Sequence, residues 1–154
     1  MSRPKRLPSF DYLGFYAYAL TFCTESRQRH FDEVRTVNVV CAQILRTADE
    51  SAFAVLAYCF MPDHLHLLVQ GLAPDSHLRP FVRLLRQRAS VESRTTRLGT
   101  LWQEGYFERT LRGLEDVTTA ASYIAHNPVR AGLVSSAADW PYSGGTLLDT
   151  LNRT

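Results

Sequence analysis

Two histidines one residue apart, His64 and His66, stand in the run Met61-Pro62-Asp63-His64-Leu65-His66-Leu67-Leu68-Val69. On a β-strand, residues i and i+2 share a face. The spacing therefore sets two imidazoles side by side and sends Leu65, Leu67 and Val69 to the other face, toward a core. Two imidazoles on one rigid strand form a chelating pair for a divalent metal. A pair alone leaves coordination incomplete, so a third donor is expected elsewhere. Residues 114–126 read as a helix, which places Tyr123 and Asn127 on one face at i, i+4. Asn127 has a carbonyl oxygen suited to Mg²⁺ or Mn²⁺. Tyr123 has a phenol whose ordinary pKa near ~10 means it needs a nearby cation or base to act as a nucleophile. Spacing does not choose Tyr123 over Tyr58, Tyr106 or Tyr142. Asp63 either caps the turn, the role we favour, or accepts a hydrogen bond from a histidine. His126, beside Asn127, is read as outside the reacting set.

These groups need elements to position them. FYAYALTF (15–22) is aromatic-rich and alternating, and reads as a strand. Residues 31–48 space Val34, Val37, Cys41, Ile44, Leu45 and Ala48 as an amphipathic helix. AFAVLAYCF (52–60) and HLHLLVQG (64–71) read as two strands joined tightly at Pro62, an antiparallel hairpin central to a sheet. A second helix fits 77–92, with Leu78, Phe81, Val82, Leu85 and Ala89 as its apolar stripe. Residues 93–100 read as a loop, and 101–112 as holding a short strand or hairpin. The third helix, 114–126, should stop at Asn127, because Pro128 disfavours helical geometry in the residue before it. From about residue 140 the tail reads as mostly irregular, and residues 1–12 as a basic, proline-punctuated arm. The order strand, helix, strand, strand, helix, strand, helix predicts one α+β domain over 1–154. It is a ferredoxin-like split βαβ, an antiparallel sheet with helices mainly on one face.

The chain has 154 residues and a net charge of +2. Its basic residues are sixteen Arg and one Lys, Lys5. Arg is the side chain whose planar fork suits phosphate. Residues 77–112 hold eight Arg and three Glu, a local +5. A block of this density steers polyanions through its local field. Arg79, Arg83, Arg86 and Arg88 on the second helix, with Arg3, Lys5 and Arg6 on the arm, are the candidate phosphate contacts. Trp102, Tyr106 and Phe107 are candidates for stacking on bases, with core packing their more ordinary use. Cys23, Cys41 and Cys59 are widely spaced in apolar surroundings and read as reduced buried thiols. No apolar run reaches the ~20 residues that cross a bilayer, and no apolar leader follows the first residues. The expected location is the cytoplasm.

LAYCFMPDHLHLLVQG, LWQEGYFERTLR, YIAHNPVRAGLV and WPYSG together resemble the REP-associated tyrosine transposases. These are a branch of the single-tyrosine HUH transposases of bacterial insertion sequences. The resemblance covers about residues 12–145. It implies a ferredoxin-like fold with metal ligands at His64, His66 and Asn127, and a nucleophile at Tyr123. It also implies a place at the bacterial nucleoid, and nicking and joining of single-stranded DNA beside hairpins, through a 5′-phosphotyrosine that conserves bond energy. No ATP site would then be needed, and no P-loop pattern is present. Asp63 stands where many relatives carry Asn. A DNA-binding protein of the same fold without cleavage is the alternative, and nothing in the chain distinguishes monomer from homodimer.

Overall fold

A computed structural model describes residues 12–151. The arm residues Arg3, Lys5 and Arg6 lie outside the described residues. Five strands, β1 (Ala17–Cys23), β2 (Phe53–Met61), β3 (His64–Gly71), β4 (Phe107–Leu111) and β5 (Ser143–Gly144), form one sheet. Its order is β4-β1-β3-β2-β5, and every neighbouring pair is antiparallel. The helix α1 (Val34–Glu50) connects β1 to β2, and α2 (Leu78–Glu92) connects β3 to β4. Each connection carries the chain past an intervening strand, which is the split βαβ expected of a ferredoxin-like α+β domain. Beyond β4 come α3 (Gly113–Ala125), α4 (Asn127–Arg130) and α5 (Thr146–Leu151).

Strand alternation divides the core in two. On one face Tyr18, Leu20, Phe22, Leu65, Leu67 and Val69 pack against α1 and α2. The α2 stripe is buried at all five expected positions. On α1 the buried side rotates from the expected one: Val40 joins Val37, Ile44 and Ala48, while Val34 and Leu45 are exposed. Aromatic rings close this layer, with Phe53 stacked on Phe81 at 4.5 Å and Phe31 edge-on to Phe60 at 5.1 Å. The opposite face is smaller. There Ala17, Ala57, Cys59, Met61 and Leu68 meet Val117, Ala120, Ala121 and Ile124 of α3, and Leu148 of α5.

A register shift in β2 between Val55 and Ala57 sets which β2 residues reach that second face. Phe53 and Val55 face α1 and α2, but after the shift Ala57, Cys59 and Met61 face α3. One extra residue reverses the parity of everything downstream. It places Cys59 opposite His66 and Met61 opposite His64.

The tail is more ordered than expected. Residues 143–144 add β5 beside Tyr58 and Cys59, and 146–151 form α5. The Phe60 amide donates to the Tyr142 carbonyl, and the Trp140 indole N–H donates to the Phe60 carbonyl at 3.0 Å. Gly145 makes the close approach possible: its φ is +115°, and a Cβ there would lie 2.7 Å from the Ala57 backbone. A two-residue strand has too little alternation to register in a sequence pattern.

Candidate functional site

His64 and His66 open the central strand, and both project to the α3 face. Their ring centroids are 4.9 Å apart and their planes nearly perpendicular, at 88°. Each ring is held at Nδ1. The His64 Nδ1 lies 2.7 Å from an Asp63 carboxylate oxygen, and the His66 Nδ1 lies 3.1 Å from the Thr21 hydroxyl, across on β1. An ionised carboxylate only accepts, so His64 donates from Nδ1 and keeps its lone pair on Nε2. Burial, with the neighbouring His64 ring and the nearby charge of Arg130, pushes the His66 pKa down to about 3. His66 is therefore a neutral imidazole, the state a metal ligand requires.

Asp63 is itself anchored. Its other oxygen accepts from the Arg27 guanidinium at 2.9 Å, and Arg27 also donates to the Cys23 sulfur at 3.2 Å. Burial alone would raise the Asp63 carboxyl, but the bonds from His64 and Arg27 outweigh it and hold the group below its ordinary range. Thr24 fixes the turn backbone, with its hydroxyl 3.0 Å from the Asp63 carbonyl. The Asp63 side chain thus reaches the histidine, the second of the two roles open to it in the sequence. Arg27 had no distinguishing signal there, because its partner lies 36 residues away.

Tyr123 and Asn127 lie on the same side of the sheet as the histidines. α3 ends at Ala125, near the expected stop, but the break falls at His126 (φ −89°, ψ 1°); Asn127, which Pro128 was expected to keep out of a helix, begins a further helical turn, α4. Proline is well placed in a first turn, where its missing N–H would be unpaired anyway. The restart carries Arg130 back over Tyr123. Its guanidinium carbon sits 3.6 Å from the Tyr123 ring centroid. One of its nitrogens donates to the Tyr123 carbonyl at 2.7 Å and to the Asn127 side-chain oxygen at 3.3 Å. The Asn127 amide nitrogen is buried with no partner. Sequence reasoning missed Arg130, although i, i+4, i+7 spacing from Tyr123 was its signal. His126 is exposed and bonds back to the Ser122 carbonyl at 2.8 Å.

The other tyrosines weighed against Tyr123 face away. Tyr58, Tyr106 and Tyr142 all pack against the α1–α2 core. Burial also pushes the Tyr58 phenol well above its ordinary value. Tyr123 is 62% exposed. Trp102 is buried in the core, edge-on to Phe22 at 5.6 Å, and Tyr106 packs on Phe22 likewise.

The basic block does not lie where a strand would meet the histidines. α2 covers the opposite face of the sheet. Arg86 donates to the carbonyls of Gln103 at 2.6 Å and Gly105 at 3.0 Å, and it stacks over Phe22. Arg88 pairs with Glu50 of α1 at 2.6 Å and donates to the Thr47 hydroxyl. Both therefore tie protein to protein. Arg79 lies over the Tyr12 ring at 4.8 Å, and it lines an open groove with Arg83 between α2 and residues 102–106. On the histidine side the exposed arginine of this block is Arg109, which shares the face of Leu111 on β4.

The residues fit a divalent cation. Two imidazoles have Nδ1 engaged and Nε2 left for coordination, and one of them is neutral by virtue of burial. The orphaned Asn127 nitrogen marks a buried position that a reversed amide would fill with oxygen. Among the described residues no three His, Cys, Asp or Glu side chains form a metal cluster. A third protein donor to such a cation would then be a neutral oxygen such as that of Asn127.

The fold is thus an α+β domain in which an antiparallel split βαβ sheet carries an H-x-H strand on the face that a tyrosine-bearing helix covers. The chain belongs to the IS200-like transposase family, whose model matches residues 15–127. It is 28% identical over 109 residues to a Haemophilus influenzae protein assigned to the REP-associated tyrosine transposases. It is 25% identical over 100 residues to the REP-associated tyrosine transposase of Escherichia coli K12. These matches cover 64% and 65% of this chain and span 62% and 59% of the relatives' lengths. The fold is also that of a REP-associated tyrosine transposase solved bound to a REP hairpin. The TM-score is 0.77 at 21% identity, covering 99% of this chain and 87% of the other. A Deinococcus radiodurans chain assigned as a transposase aligns with TM-score 0.53 at 20% identity, covering 84% of this chain and 92% of the other. No helix among the described residues is long and apolar enough to cross a membrane.

Proposed function

We propose that this transposase is a single-strand DNA endonuclease and strand transferase acting beside hairpins, with Tyr123 as nucleophile and His64, His66 and Asn127 as ligands of Mg²⁺ or Mn²⁺. One observation carries the reading. The two Nδ1-anchored histidines and the Tyr123–Asn127 helix share one face of the sheet, while the competing tyrosines pack on the other. The hairpin as partner rests on the family and on the relative whose structure holds a REP hairpin.

In this chemistry the Tyr123 oxygen forms a bond to phosphorus as the bond from phosphorus to the 3′ oxygen breaks. The phenolic proton ends on the departing 3′ oxygen, and the 5′ phosphate remains on the tyrosine. Attack by a 3′-OH reverses the step and joins strands. A bound divalent cation supplies positive charge against the scissile phosphate and eases ionisation of the phenol. Asp63 and Arg27 hold the His64 ring and its tautomer, and Thr21 holds His66. The exposure of Tyr123 lets a DNA strand reach it. Arg109, on the histidine face, is the arginine of the basic block we assign to the reacting strand, while Arg79 and Arg83 on the far face, with Arg3, Lys5 and Arg6 of the arm, are assigned to phosphates beyond it.

The test is incubation with hairpin-bearing single-stranded DNA and Mg²⁺ or Mn²⁺, followed by denaturing electrophoresis. Wild type should form a covalent protein–DNA adduct and release a free 3′-OH. The Tyr123→Phe protein should bind DNA and form none. An adduct that survives Tyr123→Phe would overturn the assignment. Salt-dependent binding with no adduct in either metal would favour a DNA-binding role without cleavage.

A further inference from the structure

We infer that Arg130 is a latch coupling DNA entry to completion of the metal site. In the free protein its guanidinium holds Tyr123 and the Asn127 oxygen, and a DNA phosphate takes the guanidinium over and releases both. The inference rests on the reading of His64, His66, Asn127 and Tyr123 given above.

Three contacts define the closed latch: the guanidinium over the ring at 3.6 Å, the bond to the Tyr123 carbonyl at 2.7 Å, and the bond to the Asn127 oxygen at 3.3 Å. All three partners are neutral. Among the described residues no carboxylate lies within ion-pair distance of Arg130, whereas Arg27, Arg29, Arg46 and Arg88 each pair with one. A guanidinium held by a ring face, a carbonyl and an amide exchanges readily for a phosphate, which offers a charge-assisted, two-pronged bond. Tyr123 and Arg130 also line an open depression of about 460 Å³ with Thr118, Thr119, Ser122 and His126, so the guanidinium is accessible to a strand.

Asn127 shows why the latch matters for the metal. Its oxygen is turned to Arg130 and its nitrogen occupies a buried position without a partner. Native structures seldom leave a buried N–H unpaired. The amide is therefore poised between two orientations, and Arg130 holds it in the one that keeps oxygen from the buried side. Removing the guanidinium frees the amide to reverse and present oxygen there. Binding of phosphate and metal then become linked, and linkage is reciprocal: each tightens the other by the same factor.

Mn²⁺ binding, read from the electron paramagnetic resonance of the free ion, tests this on the Tyr123→Phe protein, which makes no adduct. The ion is titrated alone and with a hairpin oligonucleotide carrying oligo(dT) flanks. The oligonucleotide should tighten Mn²⁺ by about tenfold, and Mn²⁺ should tighten the oligonucleotide equally. Arg130→Gln should tighten Mn²⁺ in the free protein and abolish the further gain from DNA. Arg130→Lys keeps the charge but lacks the fork, so it should lose most of the coupling, which a simple charge effect would preserve. Equal coupling in all three proteins overturns the latch. If wild type still forms the Tyr123 adduct in that case, the proposed function stands without it. Failure of the protein to bind Mn²⁺ in any state would overturn both.

Discussion

Beneath α1 and α2, strands β1 and β3 present Tyr18, Leu20, Phe22, Leu65, Leu67 and Val69. Beneath α3, the same two strands present Ala17, Ala19, Thr21, His64, His66 and Leu68. One face is filled with large apolar side chains in contact with two long helices. The other carries small residues that bring a shorter helix close, then polar ones where that packing gives out. The difference teaches how a domain of this size divides its labour: bulk on one side supplies stability, and small residues on the other leave room for imidazoles in partial burial. The period of two along β3 lets adjacent residues serve both ends.

Breaking the apolar face should have the largest effect. Phe81 is fully buried and stacked on Phe53. Phe81→Ala should cost about 3–5 kcal/mol in a denaturant titration, with a lower melting temperature. A cost under about 1 kcal/mol would mean that this face is not the main source of stability.

The histidine face should show itself as a pH dependence. The His66 pKa falls from its ordinary 6.5 to about 3 on folding, chiefly through burial. Between those values the unfolded chain binds more protons than the folded one, so stability rises with pH across the window and is lost as pH falls through it. Without metal, His66→Gln should flatten the melting temperature against pH from about 6.5 down to 4. Acid loss from Asp63, whose folded carboxyl is held below its ordinary range, begins lower. An unchanged slope in His66→Gln would place the titrating group elsewhere.

Asp63→Asn should be gentler. Asparagine keeps an acceptor for the His64 Nδ1–H but loses the ion pair with Arg27. We expect Mn²⁺ affinity to fall by about tenfold, the low end for partners that orient a ligand histidine, with little change in melting temperature. An unaltered affinity would show that the turn, not the charge, positions His64.

The fold was legible where local pattern and tertiary demand agree. The five-position stripe of α2 and the H-x-H strand follow from periodicity, whereas proline sterics placed the helix break at Asn127 and it falls at His126. The α1 stripe was misread in phase because Val34 and Leu45 are apolar yet point to solvent. The protein contacts of Arg86 and Arg88 were hidden for a different reason. Helical spacing gives a residue's face, but not the carbonyls of Gln103 and Gly105 or the carboxylate of Glu50 waiting there. The same limit hid Arg27 from Asp63. In the site, the pair of histidines and the Tyr123–Asn127 spacing were visible, whereas the place of Arg130 depends on the helical turn that restarts at Asn127.

β3 has strand neighbours on both sides, and α3 meets the sheet through only four buried side chains, two of them alanines. Hydrogen exchange should separate them by clock. The amides of Leu65 to Val69 should exchange only when the whole domain opens, while those of α3 and α4 exchange through local fraying. On that expectation the imidazoles belong to the slowest part of the molecule and the phenol to one of its faster parts. Under the proposed chemistry, a tyrosine carrying a DNA end would shift position without disturbing the strand that awaits it.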